Sequence, residues 1–104
     1  MEVSEFEERA KYQKGYDREL GNWKVIDVHQ IPYPILEQFE TDFYCCNGRH
    51  VFLLRIRNRK IKKLDFVKSN TLTYLIAELP LTVIDDNIIE NLLNEFELKY
   101  LKIS

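Results

Sequence analysis

The sequence predicts a single α+β domain over residues 1–104, with a central mixed sheet that contains a β-hairpin and is flanked by helices. Three observations predict this class. An Asn-Gly pair lies between two stretches rich in aromatic and β-branched residues, which is typical of a hairpin. Apolar residues recur at helical spacing near both ends of the chain. A chain of this length is also long enough to bury a hydrophobic core.

The first helix is expected to be long. The SEFE sequence at residues 4–7 fits a capping box, and the Gly-Asn pair at residues 21–22 marks the expected end. A strand is then predicted over residues 23–31, because this segment is rich in β-branched residues. The Pro-Tyr-Pro sequence at residues 32–34 should end that strand.

The hairpin is predicted over residues 37–57, with Asn47-Gly48 as a two-residue type I′ turn. This turn would place Cys46 opposite Arg49 and Glu40 opposite Arg55. Side chains alternate between the two faces of a strand, so one face of the hairpin should be apolar. That predicted core face comprises Phe39, Thr41, Phe43, Cys45, His50, Phe52, Leu54 and Ile56.

The second half predicts a helix, a strand and a helix. Ser69 can cap a helix whose apolar positions run through residues 72–79, and Pro80 would close it. A short apolar strand is expected at residues 81–84, and Asp85 or Asp86 can cap the last helix. The tail at residues 97–103 either continues that helix or forms a strand. The apolar stripe of the last helix indicates core packing or, alternatively, a homodimer interface through residues 86–103.

Positive charge is concentrated in one segment. The net charge is −2, yet residues 49–68 hold eight Lys or Arg against one acidic residue. Arginine and lysine side chains bind phosphate oxygens, so this segment predicts a nucleic-acid-binding ridge for DNA or RNA. The alternative is a solvated edge strand whose charges prevent aggregation. The candidate nucleic-acid-binding residues are Arg55, Arg57, Arg59, Lys60, Lys62 and Lys63.

The sequence disfavours a membrane protein, a secreted protein and a zinc site. No apolar run approaches the roughly 20 residues of a membrane span, and the acidic N-terminus lacks the apolar core of a signal peptide. We therefore expect a cytoplasmic protein with no membrane partner. Cys45 and Cys46 are adjacent and form no disulfide framework. Their spacing with His29 and His50 matches no usual zinc motif.

The element order and the local sequence of residues 41–57 resemble the PD-(D/E)XK nuclease superfamily, which includes archaeal-type Holliday junction resolvases. Residues 14–20 resemble the first helix of that family, which carries a glycine and a glutamate. The resemblance implies that Asp42 is the metal-binding aspartate and that Glu19 matches the helical glutamate. It also places Arg57 at the family's lysine position. Arg55 occupies the position of the second acidic ligand, and this departs from the family pattern.

That departure bears directly on activity. Metal-assisted phosphodiester cleavage requires clustered carboxylates that hold Mg²⁺, and a guanidinium would repel the metal and pair with the remaining acid. We therefore expect a nuclease-like domain with a degenerate active site that binds nucleic acid and needs no cofactor. One alternative is an active Mg²⁺-dependent endonuclease with Asp42, Glu40 and Glu19 as catalytic residues and with Asp42 and Glu40 as metal ligands. The other is a protein-interaction module or inhibitor that docks on a host protein, as a viral or mobile-element accessory factor would.

Overall fold

The structure is a computed structural model that describes residues 1–28, 41–69, 72–80 and 83–101. These residues form one α+β domain, a mixed sheet of six strands with a helix on each face. The α+β class that the sequence predicts is confirmed. The elements are α1 (Val3–Tyr12), β1 (Arg18–Leu20), β2 (Trp23–Asp27), β3 (Thr41–Cys46), β4 (Val51–Asn58), β5 (Lys63–Val67), β6 (Thr73–Leu79), α2 (Asp86–Phe96) and a π-helical turn (Glu97–Leu101).

The strand order is β1-β2-β3-β4-β6-β5. Neighbouring strands are antiparallel except for β4 and β6, which are parallel. The chain leaves β4, passes the end of β6 in a short loop and forms β5 at the edge of the described sheet. It then returns as β6 between β4 and β5. This order brings the end of β4 and the start of β5 to the same end of the sheet.

Each face of the sheet packs against a different helix. Helix α2 covers one face through four residues that are at most 5% exposed, namely Ile89, Leu92, Leu93 and Phe96. Helix α1 covers part of the other face, where Phe6 and Ala10 pack against Ile26, Cys46 and Val51. The apolar stripe of α2 therefore packs within its own chain, and a homodimer through residues 86–103 stays a prediction.

Helix α1 is shorter than the sequence predicts. It ends at Tyr12, and the backbone of Lys14 then turns left-handed with a φ of 65°. Gly15 N–H donates to the carbonyl of Ala10 at 2.7 Å, and Lys14 N–H donates to that of Lys11 at 3.2 Å. This pair of bonds is the Schellman motif, which satisfies carbonyls that the end of a helix leaves open. The following residues turn back and form β1 instead of the predicted continuation of the helix.

The hairpin is present, but its turn is longer than predicted. Strands β3 and β4 pair with Cys46 opposite Val51, so residues 47–50 form a four-residue loop. Asn47 Oδ1 accepts the backbone N–H groups of Arg49 and His50, at 2.9 and 2.8 Å. The predicted opposition of Cys46 and Arg49 is therefore wrong by two residues. His50 is exposed in the loop, although the sequence placed it on the core face.

The segment around residues 72–79 is a strand, which corrects the predicted helix. As β6, it is paired on both sides, with Leu75, Ala77 and Leu79 buried beneath α2. Residues 83–84 are not in a strand, and residues 81–82 lie outside the described part of the chain. The predicted last helix is confirmed as α2, with Asp85 Oδ1 accepting the N–H of Ile88 at 3.0 Å.

The tail was predicted either to continue the last helix or to form a strand, and up to Leu101 it continues the helix. Residues Glu97–Leu101 continue the last helix as a π-helical turn, and residues 102–104 lie outside the description. Among the residues that are described, no helix is long and apolar enough to cross a membrane.

Candidate functional site

Asp42 and Arg55 face each other on β3 and β4 and form a two-pronged ion pair. Arg55 Nε donates to Asp42 Oδ1 at 3.0 Å, and Arg55 Nη2 donates to Asp42 Oδ2 at 3.2 Å. The Asp42 side chain is 12% exposed and the Arg55 side chain is 30% exposed, so the pair lies partly out of water. Both carboxylate oxygens of Asp42 therefore face a guanidinium. The sequence expected a guanidinium at this position to pair with an acid, but it assigned Glu40 as the cross-strand partner.

The other two residues of the predicted carboxylate set do not complete a metal site in the described chain. Glu19 is exposed on β1 and pairs in register with Lys24, which is level with Cys46. Two strand spacings and four residues then separate Glu19 from Asp42, a distance of about 16 Å. Glu40 lies outside the described residues. Within the parts that the structure describes, no three His, Cys, Asp or Glu residues are grouped so that they could hold a metal.

The predicted basic ridge divides into two parts. Arg55 and Arg57 lie along β4 on the face that carries α1, and both are half-buried. The register places an acidic residue beside each arginine, Asp42 beside Arg55 and Glu78 of β6 beside Arg57. Glu78 is also the partner of Lys63 on β5. Positive and negative side chains thus alternate across this end of the sheet. One row across the strands is Arg57, Glu78 and Lys63, and the neighbouring row is Asp42, Arg55, Ile76 and Asp65.

The second part of the ridge is a cationic loop between β4 and β5. We call residues 59–63, which comprise this loop and the first residue of β5, the basic loop: Arg59, Lys60, Lys62 and Lys63 are all exposed, and Ile61 between them is 71% exposed. Its position follows from the topology, because the chain must cross the end of β6 to reach β5. Arg59 N–H donates to the carbonyl of Leu79 at 3.1 Å and fixes the start of the crossing.

Few acidic residues of the described chain pair with the cations of the basic loop. Lys63 Nζ lies 3.7 Å from Asp65 Oδ2, which is a long distance for an ion pair. Lys60 and Lys62 make no ion pair to any described residue. Glu95 and Lys99 of the α2 region flank Lys62 and Lys63 across a small pocket, but they pair with each other at 2.8 Å. The loop therefore projects concentrated positive charge from a chain whose overall charge is negative.

Cys45 and His50 are not neighbours, although the two-residue turn had placed them side by side. Cys45 pairs with Phe52 and is fully buried, and burial raises the pKa of its thiol far above the usual range. A thiol that stays protonated is a poor nucleophile and a poor metal ligand. Cys45 therefore acts as a small apolar core residue.

A second group of cations lies at the opposite end of the sheet, and the sequence did not single it out. Arg49, His50 and Lys68 line a pocket of about 420 Å³ together with aromatic residues that include Phe66 and Tyr100. These residues come from three separate segments, namely the β3–β4 loop, the end of β5 and the π-helical turn, so no spacing in the sequence signals the pocket. The clustering of charge in residues 49–68 contains Arg49 and Lys68 but does not predict that they meet.

We expect Asp42 and Arg55 to stabilise the fold jointly. A double-mutant cycle with Asp42→Ala and Arg55→Ala should give a coupling energy of about 1 kcal/mol, because a two-pronged, partly buried pair exceeds the usual exposed ion pair. Urea unfolding of the four proteins measures this coupling. Lys63 and Asp65, both more than half exposed, provide the comparison pair and should show a smaller coupling. Equal coupling energies for the two pairs would contradict the expectation that the Asp42–Arg55 pair stabilises the fold more than an exposed ion pair does.

Asp42 and Arg55 thus form an ion pair on one face, and the exposed cations lie separately at the end of β4. Comparison with models of known families, with curated proteins and with solved structures yields no match to this chain.

Proposed function

We propose that this domain binds nucleic acid through the basic loop and does not cut it. The observation that carries the proposal is the basic loop itself, in which four of five consecutive residues are exposed cations on a protein of net charge −2. Phosphate contacts dominate the affinity of most nucleic-acid-binding proteins, and they need cations that reach beyond the protein surface. A short loop that crosses the end of a strand presents its side chains in this way.

The proposal narrows the residues that the sequence selected. Arg55 is expected to stabilise the sheet through Asp42, and Arg57 lies next to Glu78 within the alternating charges. The expected phosphate contacts are the exposed cations Arg59, Lys60, Lys62 and Lys63. Lys63 also neighbours Glu78, but its side chain is 60% exposed, whereas Arg57 is half-buried. The pairing of Asp42 with Arg55 supports binding over cleavage, because a metal at Asp42 would have to displace a guanidinium from both oxygens.

The test is a fluorescence-anisotropy titration with single-stranded, duplex and four-way-junction DNA and with matching RNA. The variant Lys60→Gln/Lys62→Gln removes two positive charges and leaves polar side chains that are one atom shorter. We expect about tenfold weaker binding at low salt, and a salt slope lower by about 2 for duplex DNA if both lysines contact phosphates. Each ligand is also incubated with Mg²⁺ and run on a gel, where we expect no cleavage.

The matched control is Lys11→Gln/Lys14→Gln at the end of α1. Both lysines are exposed, and the net charge changes from −2 to −4 in either double variant. A change of less than about twofold in the control would show that position matters and not only total charge. Equal losses in the two variants, or no binding to any nucleic acid at low salt, would overturn the proposal. A cleaved product that disappears in Asp42→Asn would restore the nuclease hypothesis.

A protein partner is the second candidate, and Ile61 is the observation that favours it. This side chain is 71% exposed at the centre of the basic loop, where phosphate binding gives no reason for an isoleucine. An apolar residue ringed by cations suits an acidic protein surface with an apolar centre. Absence of nucleic-acid binding at low salt would favour this candidate, and Ile61→Ser would then be the variant that weakens docking.

A further inference from the structure

The pocket at the hairpin end of the sheet joins an aromatic wall to a cationic rim. It lies between the β3–β4 loop, the end of β5, the start of β6 and the π-helical turn, and its volume is about 420 Å³. Sites for small molecules usually enclose about 300–1,000 Å³. The pocket is therefore large enough for a ligand the size of a nucleotide.

The aromatic wall is formed by rings that lie against one another. Phe66 and Tyr100 stack with centroids 5.2 Å apart and ring planes 21° apart. Phe96 lies beneath them, 5.6 Å from each, and is fully buried. Tyr100 is 40% exposed and Phe66 is half-buried, so the outer rings remain accessible from the pocket.

The π-helical turn is what brings Tyr100 to this position. Its wider backbone follows α2 directly, and the Tyr100 hydroxyl donates to the carbonyl of Leu64 on β5 at 3.4 Å. Short π-helical turns are rare and occur frequently at functional sites. Here the turn ties the exposed ring to the edge strand, so the aromatic wall is held in place before any ligand arrives.

The rim is positively charged. Arg49 and His50 project from the β3–β4 loop and Lys68 follows β5, and all three are exposed. The loop that carries the first two is fixed by Asn47, whose side-chain oxygen accepts both of their backbone N–H groups. Glu2 is the acidic residue that also lines the pocket, so cations outnumber anions around it.

The geometry points to a nucleotide-binding pocket, in which a base stacks on the aromatic wall of Phe66 and Tyr100 while its phosphate contacts Arg49 and Lys68. Aromatic side chains stack on the face of any base, and an arginine fork matches phosphate oxygens. The ligand is a nucleotide with a free phosphate, either a mononucleotide or the terminal nucleotide of a single strand. The site is separate from the basic loop, since β4 spans about 23 Å between them.

Calorimetric titration of the full chain tests the pocket. The probes are AMP and UMP, together with adenosine, which lacks the phosphate, and inorganic phosphate, which lacks the base. We expect both mononucleotides to bind, and adenosine and phosphate each to bind at least about tenfold more weakly, because base stacking and phosphate contact both contribute. Equal affinity for phosphate and AMP, or no binding of any mononucleotide, would overturn the inference.

Two variants assign the binding to the pocket. Tyr100→Leu removes an exposed ring, and Arg49→Gln/Lys68→Gln removes two exposed charges, so neither empties the buried core. Each should weaken AMP binding about tenfold. Lys60→Gln/Lys62→Gln in the basic loop should leave it unchanged. AMP binding that survives both pocket variants, or that falls equally in the loop variant, would contradict the assignment.

A further pair of probes distinguishes the two sources of the ligand. A short single strand with a terminal 5′ phosphate is compared with the same strand without it, in the wild type and in Arg49→Gln/Lys68→Gln. A preference for the phosphorylated strand that disappears in Arg49→Gln/Lys68→Gln would identify a strand end, and AMP binding without this preference would identify a free mononucleotide. The inference does not depend on the proposed function, because the pocket and the basic loop consist of different residues at opposite ends of β4.

Discussion

Phe96→Ala should lower the free energy of unfolding by about 3–5 kcal/mol. Phe96 is fully buried and connects α2 to the sheet through its neighbours. Its ring centroid lies 4.4 Å from that of Phe52 on β4, 5.6 Å from that of Phe66 on β5 and 5.6 Å from that of Tyr100. Truncation would remove contacts to three rings at once and leave a cavity that rigid aromatic neighbours fill poorly.

Urea unfolding followed by Trp23 fluorescence measures this loss. Trp23 is the one tryptophan of the chain, is 1% exposed and contacts Phe52 edge-on at 5.3 Å, so its emission should report on this core. Leu98→Ala is the control, because Leu98 follows directly after the same helix but is 80% exposed. Its effect should stay within about 0.5 kcal/mol. A loss below about 1 kcal/mol for Phe96→Ala would show that α2 contributes little to the core.

The hairpin shows what an apolar pattern can determine. The two faces of β3 and β4 were predicted correctly for the buried residues, whereas the register was wrong by two residues. Alternation has a period of two, so a slip of two residues leaves every side chain on the same face. The pattern therefore could not distinguish a two-residue turn from the loop that Asn47 organises. Because of that slip, the partner of Arg55 is Asp42 and not Glu40. Asp42, which was the expected metal ligand, is therefore paired with a guanidinium.

The strand β6 shows where the helical pattern misled. Leu72, Leu75, Ile76 and Leu79 fit a helix, but Leu75, Ala77 and Leu79 fit a strand equally well. A strand paired on both sides carries apolar residues on both faces, which resembles a buried helix in a short window. Parallel pairing with β4 determined the outcome, and a contact between distant segments cannot be deduced from local spacing.

The candidate site was predictable in charge but not in arrangement. The excess of cations in residues 49–68 was evident from the sequence, because a concentration of charge needs no tertiary information, but it was predicted as a ridge along a strand and not as a loop. Whether Arg57 meets an acid depends on the position of Glu78 in β6, and that strand had been predicted as a helix. The pocket at the hairpin end was missed for the same reason, since Arg49, Lys68 and Tyr100 approach one another only through the sheet order.

Arg18 carries the second large effect that we expect. Its guanidinium lies between two acids: Nη1 is 2.5 Å from Asp27 Oδ1, and Nε is 2.6 Å from Asp86 Oδ1 at the first turn of α2. The Arg18 side chain is 10% exposed and that of Asp27 is 22% exposed. Arg18→Met would leave Asp27 partly buried without this cation, which should cost about 2–3 kcal/mol at neutral pH.

The stability lost in Arg18→Met should increase as the pH rises. Burial raises the pKa of Asp27 above its ordinary value, and the charge of Arg18 opposes that rise. A carboxyl whose pKa is raised by folding stabilises the native state when it is protonated, and this contribution is lost as the pH rises through the folded pKa. Removing Arg18 raises the pKa of Asp27 further. The difference in stability between wild type and Arg18→Met should therefore be small below about pH 4, near the unfolded pKa of a carboxyl, and should grow towards neutral pH.

Urea unfolding at acidic and at neutral pH tests this dependence. Lys11→Met is the matched control, since it also removes one cation but lies exposed on α1, and its effect should be small at both pH values. Adding Asp27→Asn to Arg18→Met should recover part of the loss at neutral pH, because the buried charge is then gone. A loss that is the same at both pH values, or that Asp27→Asn does not reduce, would mean that Arg18 stabilises the fold through packing. Recovery would instead show that Arg18 is retained here to neutralise a carboxylate where β1, β2 and the first turn of α2 meet.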